Sequence, residues 1–63
     1  MVKIIPDDGQ RRIFSGNRCV GYVDEETNIL YGFDKDGYAV EIGGITDSIS
    51  IGAMYLDWKN RQK

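Results

Sequence analysis

The chain has 63 residues, 41% of them hydrophobic and 29% charged, with a net charge of −2, a single cysteine and no histidine. A domain of this size buries only about 60% of the surface its unfolded chain exposes, so there is room for one small core and none for a second domain or a large enclosed active site. One thiol cannot form an intramolecular disulfide, and a Cys/His zinc site cannot be assembled without histidine, which leaves association with a partner as the usual remaining support for so small a fold.

Eight Ile, four Val and two Thr stand against two Leu and two Ala, a bias toward strands, and eight glycines interrupt the chain at close intervals. Residues 2–5 form a first apolar segment, closed by Pro6-Asp7-Asp8-Gly9, where proline presets one turn dihedral and glycine accepts a positive φ. Residues 10–14 lead to Ser15-Gly16-Asn17, and residues 18–23 run into the polar loop Asp24-Glu25-Glu26-Thr27-Asn28. Residues 29–33 meet Asp34-Lys35-Asp36-Gly37, whose Asp-Gly pair is a strong hairpin signal, and residues 38–42 end at Gly43-Gly44. Within the fourth segment Ile29, Tyr31 and Phe33 share one side; within the fifth, Tyr38, Val40 and Ile42 do, so aromatic and β-branched side chains are expected to meet across that hairpin.

The last third admits two readings. As a strand, Ile49 and Ile51 alternate with Ser48 and Ser50, and Met54, Leu56 and Trp58 alternate with polar neighbours once Gly52-Ala53 is taken as a bulge. As a helix from Asp47, an arc of Ile49, Ala53 and Leu56 leaves Ile51, Tyr55 and Trp58 on the opposite side, although no glycine follows Gly52. The strand reading is preferred. A shift of twenty residues lays residues 15–20 over residues 35–40, which is what two hairpins sharing turn chemistry produce.

The expected fold is therefore one domain over residues 1–63, all-β, a small antiparallel meander or barrel-like sheet of five to seven short strands. The alternative is α+β, the same meander with a C-terminal helix from about Asp47.

Catalytic chemistry finds little support. The Asp34-Lys35-Asp36-Gly37 segment with Glu41 resembles part of a calcium loop, but its first ligand position falls on Gly32, so a hairpin turn capped by aspartates is expected. Asp7, Asp8, Asp24, Glu25 and Glu26 lie in turn-like, solvated stretches that cannot separate an acid from a base by pKa. Cys19 has no histidine to activate it, and no phosphate-binding glycine motif occurs. No catalytic residue, metal ligand or cofactor is expected. The lone thiol, the charged residues just after Ile5 and the lack of a long apolar run suggest a cytoplasmic protein that does not engage a membrane.

Charge is distributed unevenly: residues 1–23 carry +2, residues 24–47 carry −6 and residues 48–63 carry +2. Arg11, Arg12 and Arg18 flank one turn and, joined by Lys59, Arg61 and Lys63, could form a basic patch beside Tyr22 or Trp58 for single-stranded nucleic acid. An isoelectric point near 4.8 opposes that reading. Most of the seven aromatics are needed for the core, but a sheet this short cannot cover both faces, and Tyr31, Tyr38, Tyr55 and Trp58 are the candidates from which surface anchors for a protein partner are drawn. The expected function is a non-enzymatic protein-interaction module whose partner is another protein or itself, a homo-oligomer suited to an accessory product of a phage or mobile element. The alternative is a small nucleic-acid-binding domain.

Overall fold

Turn chemistry sets the architecture. A computed structural model describes residues 2–46 and 51–62. Within them lie β1 (Val2–Asp7), β2 (Gln10–Ser15), β3 (Arg18–Asp24), β4 (Ile29–Phe33), β5 (Ala39–Gly44) and α1 (Ile51–Asn60). The strands form one antiparallel sheet in the order β1-β2-β3-β4-β5. The meander is thus present, and the chain is α+β because a helix follows it.

Asp8 and Gly9 make the first turn at φ 29° and 78°, both positive as a two-residue hairpin of the I′ type requires. Pro6 and Asp7, expected in that turn, instead extend β1, which is tolerated because proline's missing N–H matters little on an edge strand. The β3–β4 loop is one residue shorter than expected, since Asp24 pairs with Ile29 and Asn28 donates its N–H back to the Asp24 carbonyl at 2.7 Å. In the β4–β5 loop, Asp34 Oδ1 accepts the amides of Asp36 and Tyr38, each at 2.9 Å. That carboxylate is spent on shaping the turn. The β2–β3 and β4–β5 connections differ in length, two residues against five, so the twenty-residue similarity reflects shared turn residues alone.

Two irregularities bend the sheet. Register shifts at Ile13/Phe14 and at Leu30/Tyr31 leave Val20 and Ile42 as extra residues on β3 and β5. Both side chains pack toward the core, and Cys19 is carried to the face of Phe14, its register partner.

The core lies on one side of the sheet. Ile13, Val23 and Leu30 are fully buried against Ile51 and Tyr55 of α1, with Ile45 closing the end and Val2, Val20, Ile42, Met54 and Trp58 packed around them. Each fully buried aliphatic side chain contributes roughly 1.5–3 kcal/mol. The preferred strand reading of residues 51–60, with its bulge at Gly52-Ala53, is corrected here. Ile51, Met54, Tyr55 and Trp58 stand at i, i+3, i+4 and i+7, a helical stripe that meets the sheet, whereas Ala53 and Leu56 face outward. The helix start expected at about Asp47 falls on residues 47–50, which lie outside the described residues.

Helix and sheet approach closely at Gly32. A Cβ placed there would lie 2.5 and 2.8 Å from two atoms of the Trp58 ring. Gly21, paired with Gly32 across β3 and β4, has equally little room, since a Cβ there would strike the Tyr31 carbonyl oxygen. The bare backbone of Gly32 is what lets the indole lie on the sheet.

Candidate functional site

The face of the sheet turned away from α1 is built by register. Ile5 pairs with Arg12, Arg12 with Tyr22, Tyr22 with Tyr31, and Tyr31 with Glu41, so one row of side chains crosses all five strands. Its parity follows from the core. Ile13, Val23 and Leu30 point to the helix, so their neighbours Arg12, Tyr22 and Tyr31 point away.

At the centre of the row the Tyr22 and Tyr31 rings stack with centroids 5.0 Å apart and planes 21° from parallel. Phe33 tilts against Tyr22 at 6.0 Å. Tyr22, Tyr31, Phe14 and Phe33 are all half-buried, and Ile5 is 47% exposed. Such an arrangement presents aromatic area on rigid strands at low entropic cost. Partial burial, with the negative charges of Glu41 and Asp24 nearby, pushes the Tyr31 phenol up, so it stays neutral and a hydrogen-bond donor throughout the physiological range.

Charge brackets the rings. Arg12 donates its Nε–H to Asp7 at 2.7 Å, and that hydrogen bond, with Cys19 beside it, lifts the guanidinium further above its ordinary range. Glu41 stands at the other end of the row, on β5, and enters no ion pair among the described residues. The meeting of Tyr31 with β-branched residues across the β4–β5 hairpin does not occur: its partner is Glu41, and Val40 stands opposite Gly32.

The four anchors expected from sequence are scattered. Tyr55 is a core residue at 4% exposure, its ring 5.9 Å from that of Trp58, and burial pushes its phenol up. Trp58 is half-buried on Gly32. Tyr38 is 72% exposed but sits on the β4–β5 turn, and only Tyr31 belongs to the outer row. Tyr22, at the centre of that row, and Glu41, at its end, are not among the expected anchors. The polar loop taken as residues 24–28 shifts the β3–β4 register by one and puts Tyr22 opposite Leu30; the Asn28-to-Asp24 closure restores Tyr31 as its partner.

The basic residues do not converge. Arg11 and Arg12 lie on opposite faces of β2 and bind Glu25 at 2.6 Å and Asp7 at 2.7 Å, respectively. Arg61 pairs with Asp57 one helical turn back. Arg18 and Lys59 border an open groove of about 680 Å³ at one end of the sheet, floored by Val20, Tyr55 and Leu56 and shared with Lys35, Asp34 and Asp36. Lys63 lies outside the described residues. Among the described residues no three His, Cys, Asp or Glu side chains gather to hold a metal ion, and no helix is long and apolar enough to cross a membrane. Comparison with protein-family models, with curated proteins and with solved structures yields no match.

Proposed function

We propose that this chain is a non-enzymatic protein-interaction module that engages its partner through the outer face of the sheet. The observation that carries the reading is the stacked, half-buried Tyr22–Tyr31 pair in the middle of that face. The helix already covers the other face, so these rings serve no core, and tyrosine flanked by arginine is the composition that dominates the centres of protein interfaces. The lone thiol of Cys19 suits a reducing compartment, and a cytoplasmic accessory role is part of the proposal. Nucleic-acid binding is the less supported alternative: the acidic Glu41, Asp24 and Asp7 share the aromatic face, and three of the candidate bases are committed to carboxylates.

The test is photo-crosslinking from within the native host. A benzophenone amino acid is placed at position 31 on the outer face and, as controls, at exposed positions 38 and 56. A discrete protein adduct from position 31, absent or much weaker from 38 and 56, is expected. No adduct at 31, equal adducts at all three positions, or an adduct that is nucleic acid overturns the reading.

A further inference from the structure

We propose that the partner on the outer face is a second copy of this chain, docked about a two-fold axis that runs parallel to the strands, midway between β3 and β4. The inference rests on the interaction reading above and adds the identity and register of the partner.

The carrying observation is the order of side chains along the cross-strand row: Arg12, Tyr22, Tyr31, Glu41. The two tyrosines are central, and the flanking charges are opposite and equidistant from the centre. Two such faces can be laid together by an axis along the strands or by one along the row. Rotation about the strand direction reverses the row, so Arg12 of each copy meets Glu41 of the other and each Tyr22 meets a Tyr31. Rotation about the row leaves its order unchanged and sets Arg12 against Arg12 and Glu41 against Glu41. Like charges brought together are penalised and opposite ones selected, so the row specifies the first arrangement and rejects the second. A closed isologous dimer of this kind uses the same patch twice and leaves nothing to propagate.

Both groups keep capacity for this, Arg12 beyond its bond to Asp7 and Glu41 in full among the described residues. Arg12 spends its Nε on Asp7 and has Cys19 beside it, but a guanidinium has five N–H donors, so N–H groups remain for a carboxylate. Glu41 has no ion-pair partner among the described residues. Packing one sheet face on another at about 10 Å with strands nearly aligned is a standard arrangement, and it would cover Tyr22 and Tyr31, which the monomer leaves half-buried, while β1 with Ile5 extends past β5 of the other copy.

The area sets the strength. The four strands that overlap, β2 to β5, at about 4.8 Å spacing and five to seven residues of about 3.4 Å each, give a face on the order of 400 Å² in projection. This falls below the roughly 800 Å² per partner of a standard stable interface, so the dimer is dissociable, with a dissociation constant in the micromolar range or weaker.

Sedimentation velocity on the full chain from about 10 μM to 1 mM is the test, with circular dichroism confirming that each variant is folded. The wild type is expected to move from its 7.1 kDa monomer toward twice that mass. Arg12→Glu and Glu41→Arg should each weaken association at least tenfold, and the double variant carrying both should recover to within a few-fold of wild type. Because Arg12→Glu also repels Asp7, Tyr31→Ser provides an independent loss of association that leaves every ion pair intact. A mass that stays monomeric to 1 mM, association indifferent to all these changes, or a double variant no better than the singles overturns the proposal. If the wild type is monomeric while position 31 still crosslinks a different protein, the interaction reading stands and the second copy is excluded. If it dimerises indifferently to the variants and position 31 gives no adduct, both fail.

Discussion

Gly32 has no side chain because Trp58 occupies the space one would need. With the nearest ring atoms at 2.5 and 2.8 Å from a hypothetical Cβ, Gly32→Ala must displace the indole or the strand. A loss of about 1–3 kcal/mol is expected from such overpacking, together with a red shift of tryptophan emission. Urea unfolding followed by fluorescence checks both, and an unchanged midpoint would contradict the packing described. Tyr55 makes a second prediction, this one in pH. Burial raises its folded pKa above the unfolded value near 10, so below pH 10 both states hold the phenolic proton and the full stability is present. As pH rises past 10 the unfolded chain releases its proton first, and stability falls. Tyr55→Phe is expected to be nearly neutral at pH 7 and to lose less stability between pH 9 and 11 than the wild type, as measured by thermal unfolding across that range. Tyr31, shifted in the same direction, keeps a residual alkaline loss in the variant. At this scale the sequence was only partly legible. That Ile29, Tyr31 and Phe33 oppose Leu30 follows from alternation alone, but the burial of Tyr55 depends on which helical arc meets the sheet.

Among the elements, the strands were legible because each apolar segment is bounded by residues with their own conformational demands. The five observed strands match the expected segments to within about two residues at each end. The helix was misread for a physical reason. Ala53 and Leu56 of the expected arc face outward, whereas among the described residues the packed stripe is Ile51, Met54, Tyr55 and Trp58. Periodicity alone does group Ile51, Tyr55 and Trp58 on one side; what it does not say is that this side, joined by Met54, is the one that meets the sheet. Register was the less visible quantity. Neither the shortened β3–β4 loop nor the extra residues Val20 and Ile42 carries a strong local signal, and each moves side chains relative to the neighbouring strand. The β4–β5 turn offers a direct check of one element. Removing the carboxylate in Asp34→Ala leaves the amides of Asp36 and Tyr38 without their acceptor and is expected to cost about 1 kcal/mol, while Asp34→Asn keeps an acceptor oxygen and costs less than half of that. The Arg61–Asp57 pair on the exposed side of α1 is a useful contrast: Arg61→Ala should change stability by no more than about 0.5 kcal/mol.

For the whole molecule, a ten-residue helix covers one face of a five-stranded sheet, and among the described residues no element packs on the other. The uneven charge along the chain resolves into local pairs, Arg11 with Glu25 across β2 and the β3–β4 loop and Arg12 with Asp7 across the first hairpin, more than into opposed basic and acidic poles. What remains distinctive is the outer row, in which two stacked tyrosines lie between an arginine and a glutamate. Its existence could be read from sequence only in part, since Tyr31 was an expected anchor but its pairing with Tyr22 and Glu41 required the register. The most direct measurement of the claim that this face is the one used is an amide nitrogen–proton correlation spectrum recorded through a dilution series from 1 mM to 10 μM. Concentration-dependent shifts are expected at residues 12, 22, 31 and 41 and their strand neighbours, with α1 unaffected. Shifts confined to α1 and the groove around Arg18, Leu56 and Lys59, or none at any concentration, would contradict it.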